Sequence, residues 1–337
     1  MDSEQWEQVK EIFGEALERP SADRTAFVRG RCGDDAVVCQ EVLRLVQFSP
    51  TEGARLDQAA VSAGLIKNAA DRVSAISSLE AGEVLAERFE IVRWLGAGGM
   101  GEVYEAVDRL LGSRVAIKTI RPEIADDPQV LSRFRREVNL ARQVTHPNVC
   151  RVFDLAHGRR ANGTELDFLT MEYLEGETLS TYLEGRPPLT LAEAAPIVRQ
   201  IAEALGAAHG AGIVHRDLKG SNIFLARNRE GEIRVAVTDF GLARSVLPTD
   251  HPSLTMSGWG AGTPAYMAPE QVEGRVTGKA ADFYSFGVVM YEMATGAPPH
   301  TGHSPLEIAV RRLKEKPKAP REVNPKVDPK WEAVILR

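Results

Sequence analysis

Residues 215–222, with the sequence HRDLKGSN, bring three chemically different side chains into one short segment. Asp217 supplies a carboxylate, Lys219 a cation and Asn222 a carboxamide. A carboxylate can accept a proton from an attacking hydroxyl, a lysine can neutralise a phosphate, and a carboxamide oxygen can ligate a divalent metal ion. A polar surface turn would have the same composition, so the interpretation depends on the surrounding motifs.

A glycine-rich stretch, LGAGGMGEVY (95–104), places Gly96, Gly98 and Gly101 between two predicted strands. Glycine has no Cβ, and backbone amides can therefore approach a phosphate closely. A dinucleotide-binding loop shares this spacing but should open a helix. A glycine-rich hairpin without a ligand is the alternative.

A lysine, Lys118, ends the apolar strand sequence VAIK. A cation in such a strand is unfavourable unless it has an anionic partner. Glu137, in the predicted helix RFRREVNLARQV, is the candidate partner because that helix directly follows the strand. A solvated surface pair, which contributes little to stability, is the alternative.

The tripeptide DFG (239–241) follows the apolar strand sequence VAVT. A carboxylate at a strand end beside a tight glycine turn can reach a divalent cation. Alone this motif is weak, because Asp-containing turns are common. Its position seventeen residues after Asn222 strengthens the interpretation of Asp239 as a metal ligand.

These segments lie in two differently patterned regions. Short alternating strands follow one another from Phe89, whereas helical patterns dominate beyond Gly176, the longest at 191–211 and 280–295. We therefore predict an α+β fold in which a strand-rich N-terminal lobe (85–174) and a helical C-terminal lobe (175–337) enclose a ligand-binding cleft.

A small helical module is predicted at 1–48, where Trp6, Val9 and Phe13 recur at helical spacing and Ser21 could cap a second helix. Its apolar faces need a partner, which could be each other, the following domain or another chain. A connector rich in Ala and Ser, with one candidate helix near 58–72, spans 49–84.

Composition restricts the class of protein. The 337-residue chain is 43% hydrophobic and 26% charged, as in soluble globular proteins, and its net charge of −6 argues against nucleic-acid binding. Three cysteines are too few and too scattered for a disulfide framework or a zinc site. This cysteine usage favours a reducing, cytoplasmic location. Because no run of about 18 apolar residues exists, we expect no membrane span.

Taken together and in this order, GAGGMG, VAIK, HRDLKGSN, DFG and GTPAYMAPE (262–270) make residues from about 85 to 337 resemble the bacterial eukaryotic-like (Hanks-type) serine/threonine protein kinases. The resemblance implies a bilobal protein-kinase fold. It also implies ATP-dependent transfer of the γ-phosphoryl group to Ser or Thr hydroxyls of protein substrates, with Mg²⁺, or Mn²⁺ in its place, as the metal ion.

The resemblance implies a role for each polar residue of these motifs. It implies Asp217 as the catalytic base, Lys219 as the γ-phosphate contact, Asn222 and Asp239 as metal ligands, Lys118 as the contact to the α- and β-phosphates, and Glu137 as the partner that positions Lys118. Lys219 also indicates Ser/Thr rather than Tyr specificity. The three glycines would cover the ATP phosphates.

The resemblance also implies an adenine site around LTMEYLEGE. It implies Met171 as the gatekeeper, the backbones of Glu172 and Leu174 as the groups at the adenine edge, and Val103, Ala116 and Phe224 as the side chains that sandwich the ring. Ordinary core packing would explain the last three equally well.

The resemblance also implies regulation through the activation segment. Thr263 is expected to hydrogen-bond the catalytic Asp and Lys, and Arg216 to meet a phosphorylated residue of the segment. Among its hydroxyls, the count back from Thr263 that is usual in bacterial members of the family favours Thr255 and then Ser257 as autophosphorylation sites that raise activity. Asp282 matches the buried helix Asp that supports the catalytic loop.

Two of the chain's departures from the family pattern have an expected consequence. Gly220 replaces the usual Pro, which predicts a looser loop, and the C-terminal lobe is short of the helix whose Arg pairs with Glu270. Glu270 would then be unpaired or met by a substitute such as Arg275, and a less stable lobe is the resulting hypothesis.

Two other functions are weighed against the enzyme. A pseudokinase scaffold would bind nucleotide and partners without transfer, but intact Lys118, Asp217, Asn222 and Asp239 argue against it. A small-molecule phosphotransferase would not need the GTPAYMAPE segment. A homodimer through the N-terminal module or the kinase lobe stays open.

Overall fold

The structure is a computed structural model. It describes residues 79–337 except 99–100, 126, 161, 228–230, 241–262 and 303, and, nearer the N-terminus, 8–9, 12–13, 15–16, 19, 21–32, 35, 38–40 and 42–43. The chain divides into two compact units, Met1–Ser77 with His300–Lys316, and Ser78–Pro299 with Pro317–Arg337. The helix predicted near 58–72 lies outside the described residues.

The described strands and helices follow one another along the chain. The strands are β1 (Val84–Leu85), β2 (Phe89–Gly98), β3 (Gly101–Asp108), β4 (Ser113–Thr119), β5 (Val152–Arg159), β6 (Glu165–Glu172), β7 (Gly176–Thr178), β8 (Ile223–Arg227) and β9 (Ile233–Val237). The helices are α1 (Ser21–Arg31), α2 (Pro122–Ala125), α3 (Pro128–Ala141), α4 (Leu179–Leu183), α5 (Leu191–Gly210), α6 (Pro269–Val272), α7 (Lys279–Thr295), α8 (Pro305–Lys314), α9 (Pro320–Val323) and α10 (Pro329–Ile335). The long helices predicted at 191–211 and 280–295 are confirmed as α5 and α7.

The first unit is helical where it is described. In α1 an acidic residue, Asp23, lies in the first turn and two basic residues lie in the last, which suits the helix dipole. Ser304 caps the start of α8, because its hydroxyl accepts from the Glu307 amide. Among the described residues of this unit, the buried apolar ones are Val9, Ile12, Phe13, Ala16, Val28, Cys32, Val38, Val42, Leu306 and Ala309.

The strand-rich half of the second unit is an antiparallel sheet in the order β1-β2-β3-β4-β6-β5. Alternation along β4 sends neighbouring side chains to opposite faces, so that Ile117 packs in one apolar cluster and Ala116 in another. The second cluster includes Phe134 and Val138 of α3. Asp127 caps the start of that helix, because its carboxylate accepts from two backbone amides.

The other half is mostly helical and is built on α5 and α7. Thr190 and Glu193 form a capping box at the start of α5. Gly296 ends α7 with a φ of 84°, a left-handed backbone conformation that residues with a Cβ disfavour. A small sheet, β7-β8-β9, lies in this half of the unit, and Ile223, Leu225 and Val235 from it join the helices in one core.

Among the described residues, no helix combines the length and the apolar character that crossing a membrane requires.

Candidate active site

The loop 215–222 is supported from within the helical half by one fully buried carboxylate. Asp282 of α7 accepts from the His215 amide at 2.8 Å and from the Arg216 amide at 2.7 Å. Its Oδ2 also lies 2.7 Å from Nε2 of His209. These contacts compensate the burial of Asp282. They also hold the Arg216 backbone at a φ of 65°, which residues other than glycine rarely adopt.

The three polar side chains of this loop lie together. Asp217 Oδ2 is 2.9 Å from Lys219 Nζ, and the Asn222 side-chain amide donates to the Asp217 carbonyl at 2.8 Å. The amide nitrogen of Asn222 is thereby engaged, so its carbonyl oxygen is the atom that can ligate a cation. Asp217 and Lys219 remain 24% and 21% exposed and are accessible to a solute.

His215 joins this loop to the DFG segment. Its Nε2 donates to the Thr238 carbonyl at 2.9 Å, and its Nδ1 accepts from the Asp217 amide at 3.3 Å, as a neutral imidazole can. The ring also contacts Phe240, with 4.7 Å between the ring centroids. A backbone bond from Thr238 N to Asn222 O, 2.9 Å long, brings Asp239 beside the loop.

Lys118 of β4 reaches Asp239 across the sequence, with 2.7 Å between Nζ and Oδ1. Only 6% of Lys118 is exposed, so it needs this anion. Burial raises the pKa of Asp239, but the charge and hydrogen bond of Lys118, together with the charge of Lys219, outweigh it and hold that pKa below its usual value. Asp239 has a φ of 63°.

The expected Lys118–Glu137 pair is not the one that this structure contains. Glu137 Oε1 lies 3.5 Å from Nη1 of Arg216. Lys118 can compensate its burial with either carboxylate, and Asp239 is the one within hydrogen-bond distance. To position Lys118 as the family resemblance implies, Glu137 would therefore have to leave Arg216 and pair with Lys118.

The glycine-rich hairpin has one position that packing explains. A Cβ at Gly101 would lie 1.8 Å from the Thr119 carbonyl oxygen, which is impossible. At Gly96 and Gly98 an added Cβ would meet no described atom within 4 Å. Packing against the described residues therefore gives no reason for glycine at these two positions.

The expected adenine contacts are partly brought together. Val103, Ala116, Met171 and Leu174 belong to one apolar cluster. Phe224 is half-buried on β8 and is not in that cluster; its neighbours along the strand pack in the helical core.

Of the expected regulatory residues, Arg216 has a described side chain and the others do not. Thr255 and Ser257 lie outside the described residues, as does the side chain of Thr263, whose backbone begins a short 3₁₀ turn. The side-chain pair proposed between Arg275 and Glu270 is wrong, because the Arg275 guanidinium contacts Glu273. The Arg275 backbone amide is the group that bonds to Glu270, at 2.8 Å from its carbonyl oxygen.

Several contacts near the site were missed in the sequence. Gln271 donates to the Arg216 carbonyl at 2.7 Å, and Tyr266 donates to Glu292 at 2.7 Å. Arg234 pairs with Glu172, to which only a backbone role had been given. The signal for Arg234 was a cation inside the apolar strand IRVAV.

Comparison with known proteins gives a consistent result. A family profile described as "Protein kinase domain" matches residues 89–334. Serine/threonine-protein kinase PknB of Mycolicibacterium smegmatis is 37% identical over 253 residues, which cover 75% of this chain and 40% of that protein. Serine/threonine-protein kinase PknA of Mycobacterium tuberculosis is 38% identical over 236 residues, which cover 70% of this chain and 53% of that protein.

The chain thus spans about half of the length of these relatives, or less. Among solved structures, the crystal structure of a double mutant of the Mycobacterium tuberculosis PknI kinase domain aligns with a TM-score of 0.59 at 26% identity. The alignment covers 77% of this chain and 90% of that one.

Proposed function

The chain belongs to the protein kinase family, and we propose that it transfers the γ-phosphoryl group of ATP to Ser or Thr hydroxyls of protein substrates, with Mg²⁺ as the metal ion. The observation that supports this most is the 2.7 Å contact between Lys118 and Asp239. It joins a buried cation of the strand-rich half to the segment beside Asp217, so that phosphate-binding and proton-accepting groups share one region.

In the proposed reaction Asp217 accepts the proton of the substrate hydroxyl. The hydroxyl oxygen forms a bond to the γ-phosphorus, the bond from that phosphorus to the β–γ bridging oxygen breaks, and ADP leaves. Lys219, 2.9 Å from Asp217, orients the carboxylate and neutralises the charge on the transferred group.

The donor set beside Asp217 suits a hard divalent cation. The carbonyl oxygen of Asn222 and the carboxylate of Asp239 are oxygen ligands of the kind that Mg²⁺ prefers. When bound, the ion would neutralise charge on the ATP phosphates. Lys118 would then exchange part of its contact with Asp239 for the α- and β-phosphates.

Autophosphorylation is proposed to raise activity through Arg216. A phosphate on Thr255 or Ser257 would compete with Glu137 for the Arg216 guanidinium, because a dianion with three acceptor oxygens binds Arg more strongly than one carboxylate does. The 3.5 Å distance from Glu137 to Arg216 supports this exchange. Released from Arg216, Glu137 could pair with Lys118.

Incubation of the purified chain with Mg-ATP and mapping of the phosphorylated residues tests the proposal. We expect phosphate on Thr255 or Ser257, and a loss of about 10²-fold or more in the rate for Asp217→Asn, which lacks the proton acceptor. Nucleotide binding without any transfer would contradict the proposal and favour a scaffold.

A further inference from the structure

The segment 171–175, called here the hinge segment, leaves the end of β6 and carries the backbone groups expected to meet adenine. Met171 and Leu174 belong to the apolar cluster that includes Ala116. Glu172 is different, because its charged side chain is half-buried against Arg234. That pair is not required by any step of the proposed reaction.

Arg234 engages its partners with three donors. Its Nη1 and Nη2 lie 2.6 and 3.2 Å from the two carboxylate oxygens of Glu172, in a two-point contact. Its Nε donates to the Pro147 carbonyl at 2.8 Å. Since Arg234 is the second residue of β9, these bonds tie the hinge segment to the sheet that adjoins the helical half.

The segment 147–151 completes this attachment. It is bonded to β9 by Val237 N to Asn148 O and by Cys150 N to Val237 O, each 2.9 Å long. It is bonded to the hinge segment by Glu172 N to Arg151 O, also 2.9 Å. Arg234 therefore braces a closed set of three backbone segments rather than two isolated side chains.

A second arginine holds the hinge segment from the strand-rich half. The Arg114 guanidinium lies 4.1 Å from the centre of the Tyr173 ring and 2.7 Å from Glu175. However, 78% of Glu175 is exposed, whereas Glu172 and Arg234 are 26% and 30% exposed. Water therefore screens the Arg234 pair less, and its contribution should be larger.

We propose that Arg234 is a positioning residue for nucleotide binding, which holds the backbone at Glu172 and Leu174 ready for adenine by fixing it to β9. This inference rests on the proposed function. Without Arg234 the hinge segment would have to be ordered when the nucleotide binds, at a cost in entropy. The loss should therefore fall on nucleotide affinity rather than on the chemical step.

The test measures the Kd of ADP with Mg²⁺ by calorimetry, and then the KM for ATP and kcat. For Arg234→Met we expect the Kd and the KM to rise about tenfold, which corresponds to about 1.4 kcal/mol. The changes in kcat and in the KM for the protein substrate should stay below about twofold.

Arg160→Met is the matched control. Arg160 makes the same kind of two-point contact with Glu83, at 2.8 and 3.0 Å, outside the hinge segment. It should lose stability and keep the affinity for ADP. Arg234→Lys keeps the positive charge but cannot make the two-point contact with Glu172, so we expect a Kd between those of the wild type and the Met variant. It also supplies the measurement if the Met variant does not fold.

Two results would overturn the inference: ADP affinity equal to that of the wild type in both Arg234 variants, or an equal loss of affinity in Arg160→Met. A wild-type chain that binds no nucleotide would instead overturn the proposed function. Measuring the wild type first separates the two failures.

Discussion

Asp282 is the residue whose environment explains most about the catalytic loop. It is fully buried, and three donors from His209, His215 and Arg216 meet its two oxygens. A buried carboxylate is unfavourable unless such donors compensate it, and here two of them are backbone amides of the loop itself. Helix α7 therefore holds the residue next to Asp217 in its strained conformation.

A half-buried carboxylate, Glu292, gives a pH-dependent prediction. Burial raises the pKa of Glu292, and the hydrogen bond from Tyr266 only partly opposes this. The folded state then binds the proton more tightly than the unfolded state. The contribution of this group to stability is complete below the unfolded pKa of about 4.5, and it is lost as the pH rises through the folded value.

Glu292→Gln cannot ionise, while its amide oxygen can still accept from Tyr266. We expect the variant to be more stable than the wild type by about 1 kcal/mol at pH 7 and equally stable near pH 4. Urea unfolding at a series of pH values measures the difference. A difference that does not change with pH would contradict the assigned cause.

At the scale of elements, the hairpin of β2 and β3 has a strict steric requirement at one end. Gly98 and Gly101 face each other in the ladder, and only Gly101 is enclosed, by the Thr119 carbonyl of β4. The start of β3 at Gly101 thus packs on β4, the strand that carries Lys118.

Gly101→Ala should destabilise the chain by about 1–3 kcal/mol, because the added methyl forces β3 away from β4. Gly98→Ala is the control, since its methyl meets no described atom within 4 Å and should change stability by less than about 0.5 kcal/mol. Thermal melts of the two variants decide, and equal melting temperatures would refute the steric argument.

Across the whole molecule, the compact units are not continuous in sequence. Helix α8 groups with Met1–Ser77 in one compact unit, although it lies within the sequence range 175–337. Its residues Leu306 and Ala309 are buried. The role of the N-terminal module, and a homodimer through it, stay predictions.

Removal of residues 1–77 should expose the apolar residues of α8. We expect amide hydrogen exchange in 305–314 to accelerate about tenfold or more, while exchange in α5 stays as in the full chain. Unchanged exchange in α8 would show that the module does not stabilise this helix. Sizing of both chains over a range of concentrations tests the homodimer.

Local properties of the chain could be predicted without a structure. Helices α5 and α7 were expected within one residue of their observed ends, because apolar periodicity is local information. The order of the motifs was equally visible, and it indicated the family. Asp282 was also assigned correctly to a buried position under the loop.

Only the tertiary structure decided which charged side chains form ion pairs. Lys118 pairs with Asp239, 121 positions away, and Arg234 with Glu172, 62 positions away. Each cation could have been compensated by any carboxylate that the fold brought close, since ion pairing depends on distance and burial rather than on sequence spacing. The sequence therefore determined the chemistry of this site by itself, and the packing of the sheets and helices selected the partners.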